Sequence, residues 1–298
     1  MKLPERSGEK QGVLYLVLAA FFFSIFSLTS KAVSPEISSL QMILIRSLIM
    51  APILGILAVR RGEPLLGRHR FLLATRGVVG TLSLFAFFYA LKRLPLADTV
   101  LIFQAHPLIV AALAPWLLGE RSRALHWLLL AVSMVGVFLV VGPTGAGGWD
   151  GRLAAFICCV LAGFVYILVR LLRRTEHTLT ITFWFPAVSV LVSAPAFFCD
   201  LPGCEWVAPN GSDWCFLLVM ALASLVGQVL LTFGLGRVPA ARGTTISNTQ
   251  VAFALAYGIF FFAELPGWFT LVGALLIVLA QVGLSLAARN GVRNGSAP

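Results

Sequence analysis

The sequence predicts an all-α membrane protein of ten transmembrane helices, arranged as two inverted five-helix repeats. Three observations carry that prediction. Of 298 residues, 59% are hydrophobic and 11% charged, with a mean hydropathy of +0.94, whereas water-soluble domains hold roughly 25% charged residues. The apolar residues fall into runs long enough to cross about 30 Å of hydrocarbon. The chain also matches itself when slid by 144 residues.

The runs follow in order. The first, 12 to 33, comes after Lys2, Arg6 and Lys10; it is too long for a signal peptide's apolar core, and no small-x-small site closes it in time. The second, 38 to 59, carries Arg46 about nine residues inside and ends at Arg60 and Arg61. The third, 71 to 91, opens with Arg76 one turn in, and the fourth, 96 to 118, holds Gln104, His106 and Pro107 near its middle. The fifth, 124 to 142, leads into GPTGAGGWDG, a turn-rich linker from Gly142 to Gly151. The remaining five span 152 to 172, 179 to 199, 214 to 235, 243 to 262 and 268 to 288. All are too long, and too continuously apolar, for membrane strands. The first repeat is therefore 12 to 142 and the second 152 to 288, with short tails at 1 to 11 and 289 to 298.

Charge sets the expected orientation. With the N-terminus in the cytoplasm, sixteen of the twenty-two Lys and Arg fall on that side, from Lys2, Arg6 and Lys10 through the clusters at 60 to 70, 121 to 123, 170 to 174 and 237 to 242 to Arg289 and Arg293. Glu36, Asp150, Asp200, Glu205, Asp213 and Glu264 collect on the other face. Cations held in short inner connections are the signature of membrane topology. The net charge of +10 is thereby assigned to orientation, and nucleic acid is excluded as a partner.

The self-match lays Tyr89–Glu120 (YALKRLPLADTVLIFQAHPLIVAALAPWLLGE) on Phe233–Glu264 (FGLGRVPAARGTTISNTQVAFALAYGIFFFAE) without a gap, pairing Leu91 with Leu235, Arg93 with Arg237, Pro95 with Pro239 and Glu120 with Glu264. A shift of 139 aligns Gly12 with Gly151 and Lys31 with Arg170. Five spans per repeat is an odd number, so the second half enters the membrane upside down. Glu120 then lies at the inner end of its helix and Glu264 at the outer end. Inverted repeats suit alternating access, because the two halves can exchange conformations at similar energy.

These residues resemble the EamA-type transporters of the drug/metabolite transporter superfamily over about residues 12 to 288. The likeness rests on a helix ending in YALKRLPLADT, a helix with a mid-membrane proline at Pro107, and LLGER at Leu117 to Arg121. Arg46 and Arg76 further resemble the branch holding the solute carrier 35G-like and S-adenosylmethionine-transporter-like proteins. The resemblance implies a central cavity lined by helices 1, 3, 4, 6, 8 and 9.

Polar residues inside the spans are the expected site, since each is costly in hydrocarbon unless it faces protein or water. Arg46 is too deep for easy snorkelling and reads either as a handle for an anionic substrate or as half of a pair within the bundle. Arg76 reads as structural, its long side chain snorkelling to the interface. His106 titrates near neutrality and reads as a substrate ligand, a proton carrier or a packed neutral ring. Pro107 frees a backbone carbonyl and bends its helix. Gln104, Asn248 and Gln250 bring similar polarity to helices four and nine, and Tyr89, Tyr166, Gln228 and Tyr257 are lesser candidates for the same cavity. Glu120 and Glu264 are expected to act as gating or structural acids. No carboxylate sits at the centre of a span, so coupling to a proton and exchange with a counter-substrate both stay open.

The expected function is a secondary transporter of a small amino-acid-like, zwitterionic or anionic metabolite, with export favoured. A larger aromatic or nucleoside-containing solute, such as riboflavin or S-adenosylmethionine, is the alternative substrate. A channel or a membrane enzyme is a distant reading: HExxH, GxSxG and paired intramembrane aspartates are all absent from the sequence. The expected setting is a bacterial inner membrane with both termini inside, surrounded by lipid, with no cofactor or metal and no demand for more than a monomer. Cys199 and Cys204 are close enough in sequence for a loop disulfide. The Asn210-Gly211-Ser212 sequon is expected to be unused.

Overall fold

The computed structural model describes residues 6–118, 124–141, 148–198, 205–235, 237, 249–265 and 267–293. Among these there are helices and no strands. They are α1 (Arg6–Ala32), α2 (Ser39–Arg60), α3 (Arg70–Leu91), α4 (Leu96–Phe103), α5 (His106–Leu118), α6 (Ala124–Val141), α7 (Trp149–Leu172), α8 (Thr178–Ser193), α9 (Pro195–Phe198), α10 (Gly211–Leu235), α11 (Thr249–Phe262) and α12 (Trp268–Arg293). Six stretches, within α1, α2, α3, α7, α8 with α9, and α10, are long and apolar enough to cross a membrane, and shorter apolar helices cover 96–110, 253–262 and 268–280.

Two expected spans are each broken in two. The run from 96 to 118 is α4 and α5, interrupted at Gln104 and Ala105 just ahead of Pro107. The run from 179 to 199 is α8 and α9, separated at Ala194 before Pro195. Proline lacks an amide hydrogen and crowds the preceding turn, so the backbone yields there. By contrast α2 and α8 carry Pro52 and Pro186 without a break. The last helix continues past the expected end at 288 to Arg293, since no proline stops it. Asn210 is spent locally: its side-chain oxygen accepts from the Asp213 amide at 2.8 Å, capping the start of α10.

The helices pack half against half. α1 runs along α10 and α3 along α7, α2 lies on α8, α6 on α12, α11 on α1, and α5 on α7. Close approach is bought with glycine: a Cβ on Gly77 would sit 2.6 Å from the Cβ of Val188, and one on Gly136 would sit 2.8 Å from the Gly273 carbonyl. Small residues let membrane helices gain backbone-level dispersion contact where lipid offers no hydrophobic drive.

Polar residues concentrate at the two ends. At one end the Lys31 ammonium lies 2.7 Å from Glu264, donates to the Leu94 carbonyl at 2.6 Å, and stands 5.6 Å from the Phe262 ring centroid. The Leu96 amide donates to the same Glu264 carboxylate at 2.7 Å, and Thr270 donates to Asp98 at 3.1 Å. Ser34 donates to Asp213, Lys92 donates to the carbonyls of Pro35 and Ile37, and Arg93 pairs with Asp150 at 2.6 Å. At the other end Glu176 accepts from the amides of Arg68 and His69, both at 2.7 Å, ahead of α3. Glu63 accepts from the Leu179 amide at 3.0 Å in the first turn of α8. Helix starts carry unpaired donors and partial positive charge, which these acids satisfy.

Candidate functional site

A cavity of about 140 Å³ lies between the two halves. Its walls come from α1, α2, α3, α4, α7, α8, α10 and α11 together with Gln104. Helical period explains which residues face it. On α10, Ser224, Gln228 and Thr232 recur at intervals of four, and on α3 Arg76, Gly80, Ser83 and Phe87 recur at three and four. Tyr166 and Gln250 complete the polar wall, while Phe23, Phe26, Phe103 and Phe185 supply apolar surface.

Two arginines dominate the site. Arg46 is 1% exposed and donates through Nε and Nη2 to the Ser224 hydroxyl, at 2.9 and 2.7 Å. Its Nη1 has no hydrogen-bond partner. Arg76, 4% exposed, leaves both Nε and Nη1 without one. Both guanidiniums lie over the same ring, with Cζ 5.0 Å (Arg46) and 4.3 Å (Arg76) from the Phe185 centroid. Neither has an ion pair among the described residues, whose two pairs are Lys31–Glu264 and Arg93–Asp150. An arginine in a helix centre costs about 2.5–3.5 kcal/mol to insert, and a cation over a ring returns about 0.5–2 kcal/mol. The site therefore holds positive charge that its own residues offset only in part.

The Arg76 side chain takes a different path from the snorkelling one expected of it. A snorkelling side chain would reach the interface, but this one lies in the cavity wall over the Phe185 ring, which Gly80 one turn on lets approach: a Cβ there would lie 3.0 Å from that ring.

His106 lies behind the cavity wall rather than in it. Pro107 lacks the amide that would bond Phe103 O, and the His106 Nδ1 sits 2.9 Å from that same oxygen. A carbonyl only accepts, so Nδ1 carries the hydrogen. The ring is 1% exposed, 4.3 Å centroid to centroid from Tyr166, and its Nε2 has no partner. The ring is packed against Tyr166, which does line the cavity.

Of the other expected residues, Gln104, Tyr166, Gln228 and Gln250 join Arg46 in the wall, and Gln250 donates to the Ser27 hydroxyl at 3.3 Å. Tyr89 stands apart at the Lys31 end, donating to Asp150 at 3.2 Å under the Arg93 guanidinium. Tyr257 meets Ser24 at 3.5 Å outside the cavity wall. Asn248, Glu120, Cys199 and Cys204 lie outside the described residues, as does the side chain of Gln281. Ser224, Thr232, Thr182 and Phe185 are wall residues the sequence reading missed. The four-residue spacing of Ser224, Gln228 and Thr232 is a legible signal; Phe185 has none.

The EamA-like transporter family model matches residues 10–142 and again 149–286. The chain is 32% identical to the pseudopaline exporter CntI of Pseudomonas aeruginosa, over 93% of this chain and 96% of that protein. It is 29% identical to human solute carrier family 35 member G1, over 92% and 79%. A solved crystal structure shares the fold, with a TM-score of 0.66, 23% identity, and coverage of 94% of this chain and 98% of that one. With its duplicated family domain and its apolar, mutually packed helices, the chain is an integral membrane transporter belonging to the EamA-like family of the drug/metabolite transporter superfamily.

Proposed function

We propose that this transporter is a secondary carrier that moves a small amino-acid-like, zwitterionic or anionic metabolite by alternating access. The observation that supports the reading is a cavity between the two halves that carries two buried arginines on a mainly apolar wall, and we read the Lys31–Glu264 pair with its backbone partners, which bridges the halves at one end, as a closure that can break. A channel would need a continuous path, whereas a carrier needs a site that one end shuts off while the other admits solute. The proposed architecture is ten spans in two inverted repeats, 12 to 142 and 152 to 288. The reciprocity of the packing supports it: exchanging the halves turns α1 on α10 into α7 on α3, and α5 on α7 into α11 on α1.

Both termini are assigned to the cytoplasm of a bacterial inner membrane, on the cation distribution, which makes the Lys31–Glu264 closure external. Export is the assigned direction, with an exporter among the relatives in support. The substrate site comprises Arg46, Arg76, Gln104, Tyr166, Gln228 and Gln250, with His106 and Pro107 shaping the wall behind them.

Counterflow in liposomes tests the reading. Vesicles preloaded with a metabolite should take up its labelled form above the equilibrium level, and saturably; linear, unsaturable flux overturns a carrier. In a cysteine-free background, cysteines at Gly62 and Pro209 should label with an impermeant thiol reagent from opposite sides. Labelling of both from one side overturns the topology.

A further inference from the structure

We propose that the cavity is built for a dianion, a solute with two carboxylates on one carbon skeleton, held by Arg46 and Arg76 together; this deepens the carrier reading above and rests on it.

The inference starts from charge. Two guanidiniums from adjacent helices, both more than nine-tenths buried, form part of one wall, and three of their nitrogens have no hydrogen-bond partner. Six acids are engaged elsewhere, Glu63 and Glu176 on helix starts, Asp98 with Thr270, Asp150 with Arg93, Asp213 with Ser34 and Glu264 with Lys31, and Glu36 and Glu205 are exposed at the surface. A single anion would leave one arginine uncompensated beside another cation in a medium of low dielectric, where like charges repel strongly. Two anionic groups close the balance.

Geometry selects carboxylates. The planar fork of arginine matches a planar carboxylate, and Arg46 is already held in one orientation by two bonds to Ser224, with Nη1 unpartnered. Both forks rest on Phe185, and Phe23, Phe26, Phe87 and Phe103 add apolar surface to the same wall. That surface suits a carbon skeleton between two charges better than a compact phosphate. Gln228 brings an amide to the same wall, where an amino or hydroxyl substituent would meet it. Gly80 lets the Phe185 ring that both guanidiniums share come close, since a Cβ there would lie 3.0 Å from it.

The test uses the full-length carrier purified in detergent and thermal unfolding as the readout. The probes are succinate, glutarate and adipate, each against its own monomethyl ester, with inorganic phosphate as a separate arm. At least one diacid should stabilise the wild-type protein at concentrations at least about tenfold lower than its monoester, about 1.4 kcal/mol in binding. R46Q and R76Q should each shrink that advantage below about threefold, and R76K should keep part of it. Equal shifts from diacid and monoester overturn the proposal on the wild type alone, whether or not a variant folds. So does an advantage that survives R76Q, a phosphate shift matching that of the best diacid, or no shift from any diacid. Counterflow separates the two levels. If a monoanion or a cation exchanges while diacids are inert, the carrier stands and the dianion falls. If diacids bind in an arginine-dependent way but never exchange across the vesicle membrane, the clamp stands and the carrier falls.

Discussion

Lys31 and Arg46 are both cations carried on apolar helices, yet their surroundings are opposites. Lys31 has a carboxylate at 2.7 Å, a backbone carbonyl at 2.6 Å and an aromatic ring beyond. Arg46, more deeply buried, has one serine hydroxyl and two rings, and shares one of those rings with a second arginine. The fold can plainly supply a cation with a full set of partners. That it does so at the end of the bundle and withholds them in the middle is, on the carrier reading proposed above, the difference between a charge that holds the structure together and charges kept for a solute.

Three substitutions can break or sharpen that contrast. The largest effect is expected at Arg46. R46Q removes half of the clamp, and initial counterflow rates should fall about 30-fold or more, as when a buried charge loses its ligand partner. Thermal stability should move by less than about 1 kcal/mol, because the lost Ser224 bonds and ring contacts are set against the relief of a buried, incompletely compensated charge. A melting temperature that collapses would make Arg46 structural and erase the distinction.

E264Q should do the reverse. It leaves Lys31 with a neutral partner in a site where the two side chains are 15% and 20% exposed. The expected loss is about 1–3 kcal/mol, below the figure for a fully buried pair. Combining it with K31M should recover most of the loss. Unfolding in detergent measures both, and an unchanged E264Q melting curve would show that the closure carries no weight.

The smallest effect concerns Lys92, which lies between spans at the same end as Lys31. Burial, and secondarily Arg93 beside it, pushes its pKa down from 10.5 to about 8. A lowered lysine is more protonated in the unfolded chain, so stability should rise with pH through the window from about 8 to 10.5. K92M should flatten that rise. A slope the variant leaves intact would assign it to another group.

Much of the architecture is legible without coordinates, because the physics behind it is one-dimensional: a span is a length of apolar chain, and its partners are set by where the chain can go. The break within 96 to 118 is legible as Pro107, but its position at Gln104 and Ala105 depends on which carbonyls find other donors. The site is less legible. Arg46 stands out because depth alone makes a charge conspicuous. Arg76 sits at a depth from which its side chain can go either way, and the Phe185 ring that Gly80 lets approach, not its own position, holds it in the cavity wall. Tyr89 illustrates the converse, a helix-end tyrosine claimed by Arg93 and Asp150.

The loops at the Glu176 end hold each other crosswise. The acid that follows α2, Glu63, serves the start of α8, and the acid that follows α7, Glu176, serves the start of α3. Trp184 adds a bond to Leu65 O and Thr180 one to Pro64 O. Each hairpin is thus tied at the other's origin, and neither can swing without dragging its counterpart. In mechanical terms this is a yoke: torque applied to one hairpin would be passed through these bonds to the other, so in an alternating-access cycle the four helices it joins are expected to turn together at that end.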